Sequence, residues 1–373
     1  MEPLHIPLGD DMHCHLRQGD MLSFTVGAIK KGGCDRVLVM PNTTPIISTC
    51  EEAKKYRNEL TKQDPSVDYL MTLYLNKKTD PNDILKNHEE CNLQGVKIYP
   101  SNVTTNSNHG VTTLEKYYEI FHTLEKMNKS LHIHCEEPNV NPLYAERSYV
   151  QYIHDLAVHF PHLKIVLEHI STVDMINLVR TYPNIAGSIT PHHLHLTIDD
   201  VVDTERYDYA TDVVSIEKYI KNVYNYCKPL PKTIDDKVAL CKIIQEGFPR
   251  IFLGSDSAPH YKEHKNDPHY KPGIYTQPFL MSYVSHIFNK INSLDKVENF
   301  ACKNAANFLN LKEKKIGTNE QPLSLCIQKK AFKIADEYFG VVPFLAGQTI
   351  DFTASVVVSK TEDASTEEGG ISK

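Results

Sequence analysis

Short apolar runs recur along the chain, separated by longer stretches with helical spacing of their apolar positions. Arg36 to Met40 reads as a buried strand that stops at Pro41-Asn42. Val67 to Leu75, Gly95 to Tyr99, Ser130 to His134, Lys164 to His169, Ile185 to Thr190 and Arg250 to Asp256 repeat the pattern. With a first strand ending at His13 to His15, these runs make eight. Between them the spacing predicts helices, among them Glu51 to Lys62, Thr113 to Met127 and Thr172 to Tyr182. Strand and helix in alternation predict an α/β chain with a parallel sheet. Eight such units predict a closed (β/α)8 TIM barrel. An open doubly wound sheet is the competing arrangement, but no Gly-rich phosphate loop follows any strand.

Two regions depart from a plain barrel. Ile198 to Pro231 is acidic, then rich in Tyr, and too long for a simple loop. It is expected to carry a short helix and a loop over the barrel mouth. After Phe300 the expectation is helices, followed by the Pro- and Gly-marked segment Val341 to Gly347. Residues 1–358 therefore read as one barrel domain with a C-terminal extension. Residues 359–373, polar and small, read as a disordered tail.

Composition narrows the function classes. With 373 residues, 41% of them hydrophobic, the chain can bury a large core. A net charge of -7 with dispersed basic residues argues against nucleic-acid binding. Met1 to His5 has neither the charged nor the apolar region of a secretory signal, and no apolar run is long enough to span a bilayer. The nine cysteines are scattered without a C-x-x-C pair, as expected of a reduced, cytoplasmic protein. Nineteen histidines is a high count, so each candidate ligand needs its own argument.

The candidate chemistry begins at Asp11-Met12-His13-Cys14-His15-Leu16-Arg17. Residues two apart on a strand share a face, so His13 and His15 can grip one metal ion. Imidazoles with a carboxylate suit zinc. An H-x-H pair alone is common. The other strand ends supply Asn42, Lys97, His134, His169 and Asp256, and a barrel's active site lies at its C-terminal strand ends. So many ligand-type groups at one kind of position point to a binuclear metal site.

These motifs, with Met40-Pro41-Asn42, Gly95 to Pro100, Thr104 to Ser107, His134-Cys135-Glu136, Leu167-Glu168-His169 and Gly254 to His260, resemble those of the dihydroorotases of the amidohydrolase superfamily, in their short single-function form. The likeness runs from Asp10 to about Gly347. It implies zinc-dependent, reversible hydrolysis of the cyclic amide of dihydroorotate to N-carbamoyl-aspartate, the third step of pyrimidine synthesis. It implies that His13, His15 and Asp256 hold one zinc and His134 and His169 a second. Lys97 would bridge the two as N6-carboxylysine. A hydroxide between the metals would be the nucleophile, and Asp256 would pass its proton to the leaving ring nitrogen.

By the same resemblance Arg17, Asn42 and His260 would bind the substrate carboxylate, Arg through its planar fork. Thr104 and Thr105 would belong to a loop, 101–110, that closes over the substrate. Cys227-Lys228-Pro229 and Tyr275-Thr276-Gln277-Pro278 would meet the pyrimidine ring, although the side chains Lys228 and Gln277 differ from those expected of bacterial members. His192, His193 and His195 cluster at the seventh strand's end and read as structural or supporting groups rather than ligands. The resemblance also implies a homodimer. The competing readings are a hydantoinase or dihydropyrimidinase on the same scaffold, whose substrates lack the carboxylate that Arg17 and Asn42 would read, and a catalytically silent barrel.

Overall fold

The computed structural model describes residues 2–101, 107, 110–111, 113–207, 216–266, 270–316 and 323–358. Eight parallel strands follow one another in chain order: β2 (Gly9–Cys14), β3 (Cys34–Val39), β4 (Asp68–Tyr74), β5 (Leu93–Ile98), β6 (Ser130–Ile133), β7 (Lys164–Leu167), β8 (Ile185–Ile189) and β9 (Ile251–Leu253). The sheet closes just past its last strand. The Asp256 N–H donates to His13 O at 2.8 Å, and the His15 N–H donates to Ser257 O at 3.0 Å. This is the (β/α)8 TIM barrel expected from the alternation of apolar runs. All eight runs are strands, with ends differing from the expected ones by a few residues.

Helices α1 (Leu22–Lys31), α2 (Cys50–Gln63), α3 (Pro81–Asn87), α4 (Tyr118–Lys126), α5 (Ala145–His159) and α6 (Val173–Thr181) connect the first seven barrel strands. After β8 come α7 (Pro191–His195) and α8 (Ile234–Gln245), and after β9 come α9 (Lys262–Asn266), α10 (Leu280–Lys290) and α11 (Asn304–Leu309). Their starts follow local chemistry. Thr49 and Glu52 form a reciprocal capping box at α2, and Thr172 caps α6 by accepting from the Met175 N–H. The helix expected from Thr113 begins at Tyr118, after a 3-10 turn over Glu115–Tyr117.

The barrel interior is layered. Met12, Leu38, Leu70, Val166, Ala186 and Phe252 fill its lower part with Ala305 and Leu309. Beneath them Asp10 sits between Arg36 Nη1 at 3.2 Å and Lys314 Nζ at 2.6 Å, a buried charge cluster that ties the segment after α11 to the floor. An apolar lower layer leaves the polar side chains of the strands to gather at the C-terminal mouth.

A second sheet was not foreseen. β1 (Leu4–Ile6), β10 (Leu323–Lys333) and β11 (Thr349–Val358) form an antiparallel sheet in the order β1–β10–β11. The expectation of helices after Phe300 holds only for the π-helical turn Asn299–Lys303 and α11. β10 carries Lys329, Lys330 and Lys333 along its exposed half, which hid the strand behind a polar composition. Among the described residues of Ile198 to Pro231 there are three short 3-10 helical turns, at Ile198–Asp200, Ile216–Tyr219 and Val223–Asn225. The 359–373 tail lies outside the described residues.

Candidate functional site

The cleft at the C-terminal mouth is lined by His13, His15, Arg17, Asn42, Tyr99, His134, His169, Lys228 and Asp256, with Ala258, Pro272 and Gly273 on one wall. The histidines, Arg17, Asn42, Tyr99 and Asp256 lie at or just past strand ends, while Lys228, Ala258, Pro272 and Gly273 come from loops. β2 carries an extra residue relative to β3 between Asp11 and Cys14, a bulge that breaks strict alternation. His13 and His15 nevertheless share the central face, with ring centroids 5.4 Å apart.

Backbone conformation also aims the side chains. Arg17, His169 and Asp256 have φ of 58°, 41° and 44°, in the left-handed region that non-glycine residues seldom occupy. Each costs on the order of 1–3 kcal/mol, which the surrounding packing must offset. Three such residues in one cleft mark it as a functional site.

The rings close around a centre. His13 and His169 lie 4.8 Å apart by centroid, and His134 and His169 4.7 Å. Asp256 Oδ1 is 3.0 Å from His15 Nε2 and 3.4 Å from His13 Nε2. Burial alone would raise the Asp256 pKa, but the His15 hydrogen bond and the neighbouring His13 hold it well below the usual carboxylate range. Burial pushes His15 down to about 4. Burial likewise lowers His134 and His169, so His15, His134 and His169 are neutral imidazoles beside an ionised Asp256, the protonation states in which these groups bind metal.

Lys97 lies close enough to His134 and His169 for its charge to lower their pKa values. It is completely buried on β5, and its Nζ has no hydrogen-bond partner. It does not snorkel to solvent. Desolvation lowers its pKa to about 8. His169 Nδ1 is likewise buried without a partner. Ligand-type atoms of His13, His15 and Asp256 fall within 4.8 Å of one another. Two partnerless buried nitrogens beside a compact imidazole–carboxylate set are what a metal centre would satisfy, so these residues fit a zinc-type cofactor.

Supporting carboxylates escaped the sequence reading, which quoted Glu136 and Glu168 only as parts of motifs. Glu168 Oε2 is 2.9 Å from His13 Nδ1 and accepts from the Ser188 hydroxyl at 2.5 Å, while Oε1 is 2.6 Å from His132 Nδ1. Glu136 Oε2 is 2.6 Å from His134 Nε2. Asp11 accepts from the Ser255 N–H at 2.8 Å and the Ser255 hydroxyl at 2.7 Å, which fixes the turn leading to Asp256. A Glu adjacent to a strand-end His, or two residues after it, was the available signal.

Arg17 is braced at the rim. Its Nε donates to Pro259 O at 3.1 Å, and Nη2 lies 3.2 Å from His260 Nε2. Burial lowers its pKa only to about 10, so it stays a cation at neutral pH. His260 also meets Pro272 O at 3.0 Å and lines an adjoining recess with Arg17 and Asn42. Burial, aided by the Arg17 charge, keeps His260 neutral. Lys228 reaches the cleft and lies 3.6 Å from Glu217. Gln277 is buried outside the cleft lining, where its N–H donates to Ser257 Oγ at 3.0 Å. Thr104 and Thr105 lie outside the described residues. His192, His193 and His195 sit on α7, directly after β8. Both His193 nitrogens are engaged, one 2.9 Å from Thr190 Oγ1 and the other 3.0 Å from Pro229 O.

A scan against protein-family models finds no match. Single relatives are clear. The chain is 34% identical over 361 residues to a probable dihydroorotase of Schizosaccharomyces pombe, covering 94% of this chain and 99% of that protein. It is 30% identical over 375 residues to the dihydroorotase of Saccharomyces cerevisiae, covering 95% and 98%. Among solved structures, a crystal structure of the Saccharomyces cerevisiae dihydroorotase in complex with 5-fluoroorotic acid matches with a TM-score of 0.85 at 29% identity, over 96% of this chain and all of that one.

Proposed function

The chain belongs to the dihydroorotase family, and from that premise we propose how its residues divide the work of opening the dihydroorotate ring. The chain is a hydrolase of the cyclic amide, acting in pyrimidine synthesis. The observation that carries the division of roles is the convergence of four imidazoles and Asp256 in one cleft, with the partnerless Lys97 buried near enough to act on His134 and His169.

His13, His15 and Asp256 would hold one zinc ion and His134 and His169 a second. Lys97, as a carbamate, would hold both. Two adjacent dications need an anion between them, and a buried amine with its pKa near 8 spends much of its time neutral at mildly alkaline pH, ready to add carbon dioxide. When bound, the metals supply Lewis acidity toward the amide carbonyl and lower the pKa of water. Glu168 and Glu136 orient His13 and His134, because a hydrogen bond at one ring nitrogen fixes which nitrogen faces the metal.

Asp256 handles the proton. Its carboxylate is ionised at neutral pH, so it can accept a proton from the attacking water and deliver it to the ring nitrogen as the C–N bond breaks. Arg17, with Asn42 and His260 beside it, binds the substrate carboxylate. Lys228, Pro272 and Gly273, which line the same cleft, would meet the ring. Gln277, expected at the ring, lies outside the cleft lining, and its part is to anchor the Thr276–Gln277 turn to Ser257. Thr104 and Thr105 would complete the site from the 101–110 loop.

A charged, half-buried Arg17 in the cleft favours this substrate over the uncharged rings of a hydantoinase. Among the described residues no helix is long and apolar enough to cross a membrane. Nine unpaired cysteines support a cytoplasmic setting, and a homodimer follows from the family resemblance. The test is ring opening of dihydroorotate against hydantoin, with metal analysis of the same sample. Turnover of dihydroorotate with bound zinc supports the assignment. Preference for hydantoin would overturn the role given to Arg17.

A further inference from the structure

The cleft wall facing the imidazoles is built from two loops, not from barrel strands. One carries Lys228, and the other carries Pro272 and Gly273. Loops do not hold position without cross-links. These two share one backbone bond, from the Gly273 N–H to Tyr226 O at 2.9 Å. Beneath that bond lies Lys265, on α9, 3% exposed. Its ammonium donates to Tyr226 O at 3.1 Å, Lys271 O at 3.0 Å and Gly273 O at 2.8 Å.

An ammonium has three N–H donors, and here each meets one main-chain carbonyl. Among the described residues no carboxylate forms an ion pair with it. Burying a charge without a counter-charge is costly and lowers the Lys265 pKa to about 7, so the three carbonyls are what favour its protonated form at neutral pH. A surface lysine would avoid that cost, so the placement calls for a return, and the three carbonyls identify it. They belong to the two loops that form the wall. The fit is close: Gly273 has φ of 146°, and a Cβ there would lie 2.4 Å from Ala258 O and 3.1 Å from His260 Cδ2. The same wall reaches the rim, because Pro272 O meets His260 Nε2 at 3.0 Å and His260 meets Arg17.

We propose that Lys265 is a positioning residue for substrate recognition: its buried ammonium pins the Tyr226–Lys228 and Lys271–Gly273 loops at the separation that the substrate ring requires. The proposal rests on dihydroorotate occupying this cleft. It assigns Lys265 no contact with substrate and no part in the bond-breaking step. Removing the ammonium should loosen the wall while leaving the imidazoles, Lys97 and Asp256 in place.

The test is steady-state kinetics on the metal-loaded enzyme. Lys265→Met keeps the length of the side chain and removes all three donors. It should raise KM for dihydroorotate by about tenfold, change kcat by less than about threefold and leave zinc content at the wild-type level. Lys265→Gln, which keeps an amide donor, should fall between. Thermal melting of both variants checks that they fold. An unchanged KM in folded Lys265→Met would overturn the proposal. So would a parallel loss of kcat and zinc, or failure of both variants to fold, since each makes Lys265 a general support of the fold. If the wild type itself does not turn over dihydroorotate, the substrate assignment fails instead, and that control separates the two outcomes.

Discussion

Replacing Glu168 by Gln changes one atom and removes one charge at a carboxylate with three partners behind the site. Glu168 is fully buried, with His13 Nδ1, His132 Nδ1 and the Ser188 hydroxyl around its two oxygens. Burial would raise its pKa, yet His13 and His132 hold it well below the ordinary value, so the native group is an anion. Hydrogen bonds to a charged group contribute roughly 1.5–3 kcal/mol, neutral ones about 0.5–1.5. Neutralising an acceptor of three bonds therefore costs on the order of 2–4 kcal/mol. His132 can absorb part of this by changing tautomer, because Ser130 Oγ lies 2.7 Å from its other nitrogen. His13 has no such relief: if Nε2 is to face a metal, Nδ1 must carry the proton and needs an acceptor. Most of the loss should therefore appear as weakened metal binding. We expect Glu168→Gln to lower zinc affinity about 10- to 100-fold, the range typical of such supporting groups. Titration against a competing chelator measures it, and excess zinc should restore much of the activity. Wild-type zinc affinity in a folded Glu168→Gln would refute the reasoning.

Other expectations follow from the same geometry. Arg17→Met removes a charge-assisted contact of roughly 1.5–3 kcal/mol and should lower kcat/KM on dihydroorotate by at least about tenfold. It should spare zinc content and narrow the preference over dihydrouracil; equal losses on both rings would show that Arg17 does not read the carboxylate. Replacing Thr104 and Thr105 together with Ala should cut turnover far more than zinc binding, whereas an unchanged kcat would make the loop a plain connection. Glu146 is buried, and desolvation raises its pKa from 4.5 to about 7. A raised carboxyl pKa stabilises the fold fully below pH 4.5, and that contribution is lost as pH rises through 7. Glu146→Gln should therefore remove a stability decline of at most about 3 kcal/mol across this window, as measured by denaturant unfolding at several pH values.

The barrel was legible because its strands are short apolar runs with helices between, and each run ends where a polar residue enters the mouth. The β1–β10–β11 sheet was not. β10 alternates buried Leu325 and Ile327 with half-buried Cys326 and Gln328 before running into exposed lysines, and its partners lie at opposite ends of the chain. Local spacing cannot report such a pairing. At the site, the strand-end groups His13, His15, Asn42, His134, His169 and Asp256 were legible by type and position, whereas Tyr99, Pro272 and Gly273 of the lining were not, and Gln277, expected there, lies outside it. What the sequence withheld was burial and backbone hand. Nothing local distinguishes Lys97 buried without a partner from a snorkelling lysine, or Lys265 under three carbonyls from a surface one. The positive φ at His169 and Asp256 depends on the closed barrel and has no mark in residue type.

The account turns on Lys97 as the anionic link between two metal ions. The most direct measurement is the zinc content of wild type and Lys97→Ala, purified side by side, with activity assayed before and after addition of short carboxylic acids. The account predicts close to two zinc ions in the wild type, loss of most metal and activity in Lys97→Ala, and partial recovery with the added acid. Full metal and full activity in Lys97→Ala would contradict it.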